Sequence, residues 1–265
     1  MRLDYSLVHP NWTQNLPALG RSQKGEDVSL KWTFDNIGTT NKYYVEFGAI
    51  DGYEDCNSLY FRENQEWKGL LLESGKWFPV APNEEINLKI ETVSKDNICG
   101  IFEKYNVPRE FDLLSVDIDS MDYWVTRSIL NEYSPRCVMV EVNVRFEPDQ
   151  SWRLKDNPEW DWDGLKWYGA SPLAYKKMLN ARGYTPVYVH VDDMIAIRND
   201  VLKKSGFTEP LWEEVYPHSN VPLYNTDNMG GRGQLVTELN LDEGEKACFF
   251  LLVMKDLLVK HLKRN

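Results

Sequence analysis

Four short apolar runs, each closing on an acidic residue or a glycine, constrain this chain most. They are Lys42-Tyr-Tyr-Val-Glu-Phe-Gly48, Lys68-Gly-Leu-Leu-Leu-Glu73, Phe111-Asp-Leu-Leu-Ser-Val-Asp117 and Arg136-Cys-Val-Met-Val-Glu141. Continuous apolar runs of this length fit strands that are covered on both faces. Between them, Asn57-Ser-Leu-Tyr-Phe-Arg-Glu63 can cap and start a helix, and Lys95 to Tyr105 and Met121 to Tyr133 have helical spacing. Strand and helix in alternation predict an α/β fold with a mostly parallel central sheet and helices on both faces. Pro172 to Arg182 continues the scheme as a helix, with proline in its first turn and Gly183 as its stop. Thr185-Pro-Val-Tyr-Val-His-Val191 reads as a later strand, and the sheet is expected to extend through about residue 200.

With 265 residues, 42% hydrophobic and 13% aromatic, the chain can bury one large core. The expected plan is an N-terminal arm over 1–40, a Rossmann-like domain over 41–204 and an extension over 205–265 that ends in a helix, Ala247 to Leu262, packed on the same domain. The net charge of -11, from 30 Lys and Arg against 41 Asp and Glu, opposes a phosphate backbone, and no basic run offsets it, so no nucleic-acid partner is expected. No stretch approaches the roughly 18 consecutive apolar residues of a membrane span, and MRLDYSLVHPNWTQ lacks the apolar run of a leader. A soluble, cytoplasmic protein is expected, with a homo-oligomer left open. Cys56, Cys99, Cys137 and Cys248 are widely spaced without a CxxC pair and read as free thiols, and the sequon at Asn11 matters only in a secreted protein. Glu147 to Ala170, rich in Trp and without a secondary-structure period, reads equally as a sugar-stacking platform or as a lid that buries its own aromatics.

Ligands of open α/β sheets bind at the carboxyl ends of the strands. Here those ends carry acids and glycines: Glu46-Phe-Gly48-Ala-Ile-Asp51-Gly52, then Glu73, then Asp117-Ile-Asp119-Ser-Met-Asp122, then Glu141-Val-Asn143. The G-x-G-x-x-G spacing of a dinucleotide loop is absent, and the acids would repel a diphosphate. Carboxylate acceptors at four strand ends suit a ligand with an ammonium group and a ribose but no phosphate, a description that S-adenosylmethionine fits.

The ordered set YYVEFGAIDGYEDCNSLYF, GLLLES, FDLLSVDIDSMDYWV and VMVEVN, followed by WYGASPLAYKKMLNARGY, resembles the motifs of the FkbM-like branch of class I S-adenosylmethionine-dependent methyltransferases over roughly residues 20 to 200. The resemblance implies a Rossmann-like class I methyltransferase fold and methyl transfer to a hydroxyl of a sugar, lipid-linked glycan or other small acceptor. It implies that Glu46, Gly48, Ala49 and Gly52 form the cofactor loop, with Asp51, Asn57 and Ser58 near the methionine part and Glu73 on the ribose. Ser22-Gln23-x-Gly25-Glu26-Asp27 is similar to the family's leading signature, which implies that Ser22 and Gln23 close over the methionine carboxylate. Two features depart from the pattern: Ser74 to Thr92 is short for a helix plus a third strand, and Ile50 stands where many class I enzymes carry a glycine.

Methyl transfer from a sulfonium is an in-line displacement that rests on positioning, and a hydroxyl acceptor adds the need for a base or a divalent cation. Asp117, Asp119, Glu141 and His190 are the candidates for the chemistry, with Asp117 also on the cofactor. Asp117, Asp119, Glu141 and Asn143 offer the oxygen ligands that Mg²⁺ or Ca²⁺ prefers. The competing reading has Asp119 and Asp122 capping the next helix and Asn143 turning the chain, and it makes His190 and the loop residue His218 structural. Alternatives for the whole chain are an NAD-dependent oxidoreductase on a related sheet, a non-catalytic cofactor-binding scaffold, and a glycoside hydrolase using paired carboxylates.

Overall fold

The computed structural model describes residues 1–5, 22–157, 159 and 168–216, without the side chain of His190. Cys248, His218 and the expected helix from Ala247 to Leu262 lie outside the described residues, as do Asn11 and the Trp residues of 160–167.

Seven strands form one sheet: β1 (Tyr43–Phe47), β2 (Lys68–Glu73), β3 (Leu88–Ile90), β4 (Leu113–Val116), β5 (Cys137–Glu141), β6 (Tyr184–His190) and β7 (Asp193–Arg198). Their order is β3-β2-β1-β4-β5-β7-β6, parallel from β3 to β5, with β7 antiparallel to both of its neighbours. This is a Rossmann-like topology, mostly parallel with helices on both faces, as the alternation of strand and helix predicted. The strand order reverses between β1 and β4, and in open α/β sheets the carboxyl ends of the strands at such a point are where ligands bind.

Strand period decides which side chain meets which layer. Val45, Phe47, Leu70, Leu72, Leu114, Val116, Val138 and Val140 pack on one face against α3 (Ile98–Lys104), α4 (Asp122–Glu132) and α5 (Pro172–Asn180). Tyr44, Leu71, Leu113, Cys137, Met139, Ile195 and Ile197 pack on the other against α1 (Glu26–Ile37), α2 (Leu59–Gln65) and α6 (Asn199–Lys204). Leu30, Phe34 and Ile37 join that second layer, so α1 of the N-terminal segment is part of the core. Val215 and Tyr216, at the end of α7 (Trp212–Val215), join the first. The α5 start follows its sequence signals: the Ser171 hydroxyl accepts from the Ala174 amide, and Pro172 occupies the first turn.

One connection matches the shortage of residues noted in the sequence, and one element differs from the sequence reading. The connection from Glu73 to Leu88 carries no helix and leads straight into a three-residue β3. The sheet does extend to Arg198, but its last part turns back: Val191, at φ 51, and Asp192 reverse the chain so that β7 inserts between β5 and β6. At the two sheet edges stand β3 and β6, and β6 holds Pro186 and an irregularity of register between Pro186 and Tyr188. Cys56, Cys99 and Cys137 are free thiols as expected.

Candidate active site

The parity that fills the second core layer continues past it into polar positions. Tyr44, Leu71, Leu113, Met139 and Ile195 lie in that layer, so Glu46, Glu73, Ser115, Glu141 and Asp193 share its face at the ligand end of the sheet. Register fixes them side by side: Glu46 is opposite Ser115, and Glu141 is opposite Asp193. A short sequence pattern thus becomes a row of acids.

Gly48 turns the chain after β1 at φ 66, and a Cβ there would stand 2.0 Å from the Asp117 carbonyl oxygen. Only glycine lets the β1 loop come so close to the end of β4. Gly52, at φ 82, is covered by Ile86 and Leu71, whose methyl carbons would lie 2.6 and 2.9 Å from an added Cβ. Ala49 is buried, and Asp51 accepts from the amides of Tyr53 and Glu54, bonds that hold its carboxyl below the usual range. Glu73 receives the Ile50 amide on Oε2 at 3.2 Å, and the Gly75 amide and Ser74 hydroxyl on Oε1, both at 3.1 Å. Beyond it Trp77 and Phe78 are 57% and 52% exposed.

Glu46 is committed inside the protein. Its Oε1 accepts from the Asn57 amide at 2.6 Å, and its Oε2 accepts from the Ser58 amide at 2.9 Å and from the Cys56 thiol. Burial pushes its pKa up, and these bonds oppose the shift. The carboxylate therefore ties the start of α2 to β1. Asn57, in turn, donates from Nδ2 to the Ser115 hydroxyl.

The remaining acids converge. Asp117, Asp122 and Glu141 bring ligand oxygens to within 4.8 Å of one another, with Asp117 partly exposed and the other two buried. Asp122, the first residue of α4, accepts from the Ile118 and Ser120 amides at 2.7 and 2.8 Å, so it ties the preceding loop to the helix, and α4 has no side-chain cap. Burial pushes it up to about 7. Glu141 and Asp117 stand well above the usual carboxylate range, through burial first; the charges of Asp122 and Asp119 then raise both, and that of Asp117 raises Glu141. Burial also raises Asp119, at φ 56, and lifts Asp193 well above that range. Among the described residues, Glu141 Oε2 and the Tyr175 hydroxyl of this neighbourhood are buried without a hydrogen-bond partner. Asn143 is turned to its own loop, where Nδ2 donates to the Tyr168 carbonyl and Oδ1 accepts from the Arg145 amide.

The segment before α1 closes on this row. The Lys24 ammonium donates to both Asp192 oxygens at 2.7 Å, and the Lys24 amide donates to Glu26 Oε2, while the buried Glu26 Oε1 has no partner. Ser22 donates to Asp27 Oδ1 within the segment, and Gln23 is exposed. The strand-end acids, Asn57 and the glycine loop predicted from sequence are thus brought together. Ser22 and Gln23 are held just beside them, and His190 contributes only its backbone to the description, as part of β6. Sequence reasoning passed over Lys24, Asp192, Asp193 and Tyr175, and gave Glu26 and Asp122 no ligand role. Trp152, by contrast, is fully buried and its backbone braces Ser171, so it plugs the core.

No protein-family profile and no curated protein matches the sequence. Among solved structures, the chain is similar to the CurJ carbon methyltransferase, 10% identical with a TM-score of 0.42 over 73% of this chain, and it spans 60% of that chain's length. It is also similar to an S-adenosylmethionine-dependent methyltransferase from Clostridium acetobutylicum ATCC 824, 10% identical with a TM-score of 0.36 over 72% of this chain and 97% of that one.

Proposed function

We propose that the chain is an S-adenosylmethionine-dependent methyltransferase acting on a hydroxyl of a sugar or glycan-type acceptor. The observation that carries the reading is the row of acids at the carboxyl ends of the strands around β1 and β4, beside which Lys24 is ion-paired to Asp192. Such a row favours a ligand bearing positive charge and opposes a diphosphate. Glu26 Oε1, buried and unpartnered, fits an ammonium group, and Glu73 at the end of β2 fits a pair of ribose hydroxyls. Trp77 and Phe78 follow Glu73 closely enough to offer the adenine an aromatic wall. The hydroxyl acceptor and its sugar character are supported by the motif resemblance.

When bound, the cofactor supplies an electrophilic methyl group. The protein's part is to hold and to deprotonate. Gly48 keeps the β1 loop against β4, leaving the backbone open to close approach. Asp117 is partly exposed, so an acceptor reaches it, and its raised pKa makes it a stronger base than an ordinary carboxylate. Glu141, Asp119 and the strand residue His190 stand as further candidates for handling that proton.

Calorimetric titration of S-adenosylmethionine, S-adenosylhomocysteine and NAD into the purified protein tests the reading, with Glu73→Ala as control. Micromolar binding of the first two is expected, weakened about 10- to 100-fold in the variant through the lost carboxylate bonds. Binding of NAD alone would replace the reading with an oxidoreductase, and binding of none of the three would leave a scaffold.

A further inference from the structure

We propose that Asp117, Asp122 and Glu141 form a divalent-cation site, with the Tyr175 hydroxyl bonded to a cation-bound water. Three carboxylates, from the residue after β4, the first residue of α4 and the last residue of β5, present oxygens within 4.8 Å of one another. Crowded like charges alone do not make a site. The independent observation is Glu141: its side chain belongs to a residue 8% exposed, yet Oε2 is buried with no hydrogen-bond partner. An ionised oxygen in that position is costly unless a cation meets it. Tyr175 repeats the signal, since among the described residues its buried hydroxyl also has no hydrogen-bond partner.

The set differs from the one that strand order suggests. Asn143 spends its amide on Tyr168 and Arg145, and Asp119 lies outside the converging trio, whereas Asp122 belongs to it. Asp122 keeps lone pairs for a cation while its oxygens accept from Ile118 and Ser120, and those bonds fix its orientation. Asp117, partly exposed, marks the side from which water completes the coordination shell. The site rests on this geometry; its use, to lower the pKa of an acceptor hydroxyl, rests on the methyl-transfer reading.

The test is Mn²⁺ binding to chelator-treated protein, read by loss of the free-ion electron paramagnetic resonance signal and by calorimetry, with and without S-adenosylhomocysteine. One Mn²⁺ per chain is expected, displaced by an excess of Ca²⁺ or Mg²⁺. Glu141→Gln and Asp117→Asn should each weaken binding at least about tenfold, Tyr175→Phe about three- to tenfold, and the surface variant Glu132→Gln not at all. Circular dichroism identifies folded variants, and the two carboxylate changes preserve shape. Absence of bound Mn²⁺ at millimolar concentration, or equal binding by Glu141→Gln and the parent, overturns the site. Mn²⁺ binding without any S-adenosylhomocysteine binding would keep the site and sink the methyltransferase, and the converse would sink the site alone.

Discussion

At the scale of single residues, the site is built from side chains whose first task is internal. Gly48 is the sharpest case, because its φ of 66 and the 2.0 Å approach to the Asp117 carbonyl exclude any side chain. Gly48→Ala should cost about 3 kcal/mol or more, seen as a lowered urea midpoint. The sequence showed this glycine as a turn, but the reason for it, a carbonyl from another strand, is a tertiary fact. Glu46 makes the complementary point. It was legible as an acid at a strand end, yet its two oxygens accept two backbone amides and a thiol. Glu46→Gln replaces one acceptor oxygen with a donor facing an N–H, and should destabilise by about 1–3 kcal/mol in the same measurement. If instead it weakens cofactor binding at unchanged stability, Glu46 is a ligand contact rather than a tie.

Among elements, the two ends of the sheet have separate duties. At the end remote from the acids, Asp112 just before β4 accepts from the Thr40 and Lys42 amides and from Arg136, and Arg136 donates to the carbonyls of Ile37 and Gly38. This buried pair seats the end of α1 against β4 and β5. Asp112→Ala leaves a buried guanidinium with its charge uncompensated, and about 3–5 kcal/mol of stability should go, while the folded fraction binds cofactor as before. A chemical denaturation curve beside a binding isotherm separates the two. The parallel strands were legible because each is a continuous apolar run. The reversal into β7 was not, because Val191 and Asp192 make the turn without the glycine or asparagine that would announce it, and Asp193-Met-Ile-Ala-Ile-Arg198 then looks like more of the same run. The missing helix before β3 was legible as a shortage of residues, and Gly52 shows what replaces it: Ile86 packing on the glycine loop.

For the whole molecule, the net charge of -11 excluded partners but did not locate anything, since surface acids and site acids count alike in a sum. Strand parity supplied what composition lacked, by bringing Glu46, Glu73, Glu141 and Asp193 onto one face, while the approach of Lys24 and Asp192 depends on loops with no period to read. A molecule that crowds acids for a ligand is strained without it. Asp117→Asn in chelator-treated, ligand-free protein should therefore raise the melting temperature, by about 2–4 °C for each kcal/mol of relieved repulsion. An unchanged or lower melting point in differential scanning calorimetry would mean that the charges are already compensated. The sheet's borders carry one more consequence. One edge strand is three residues long, and the other is broken by Pro186 and a slip in register, so neither offers a straight row of backbone groups to another chain. Among the described residues, then, the sheet gives another chain little backbone to pair with, and its helical flanks are the larger faces it presents.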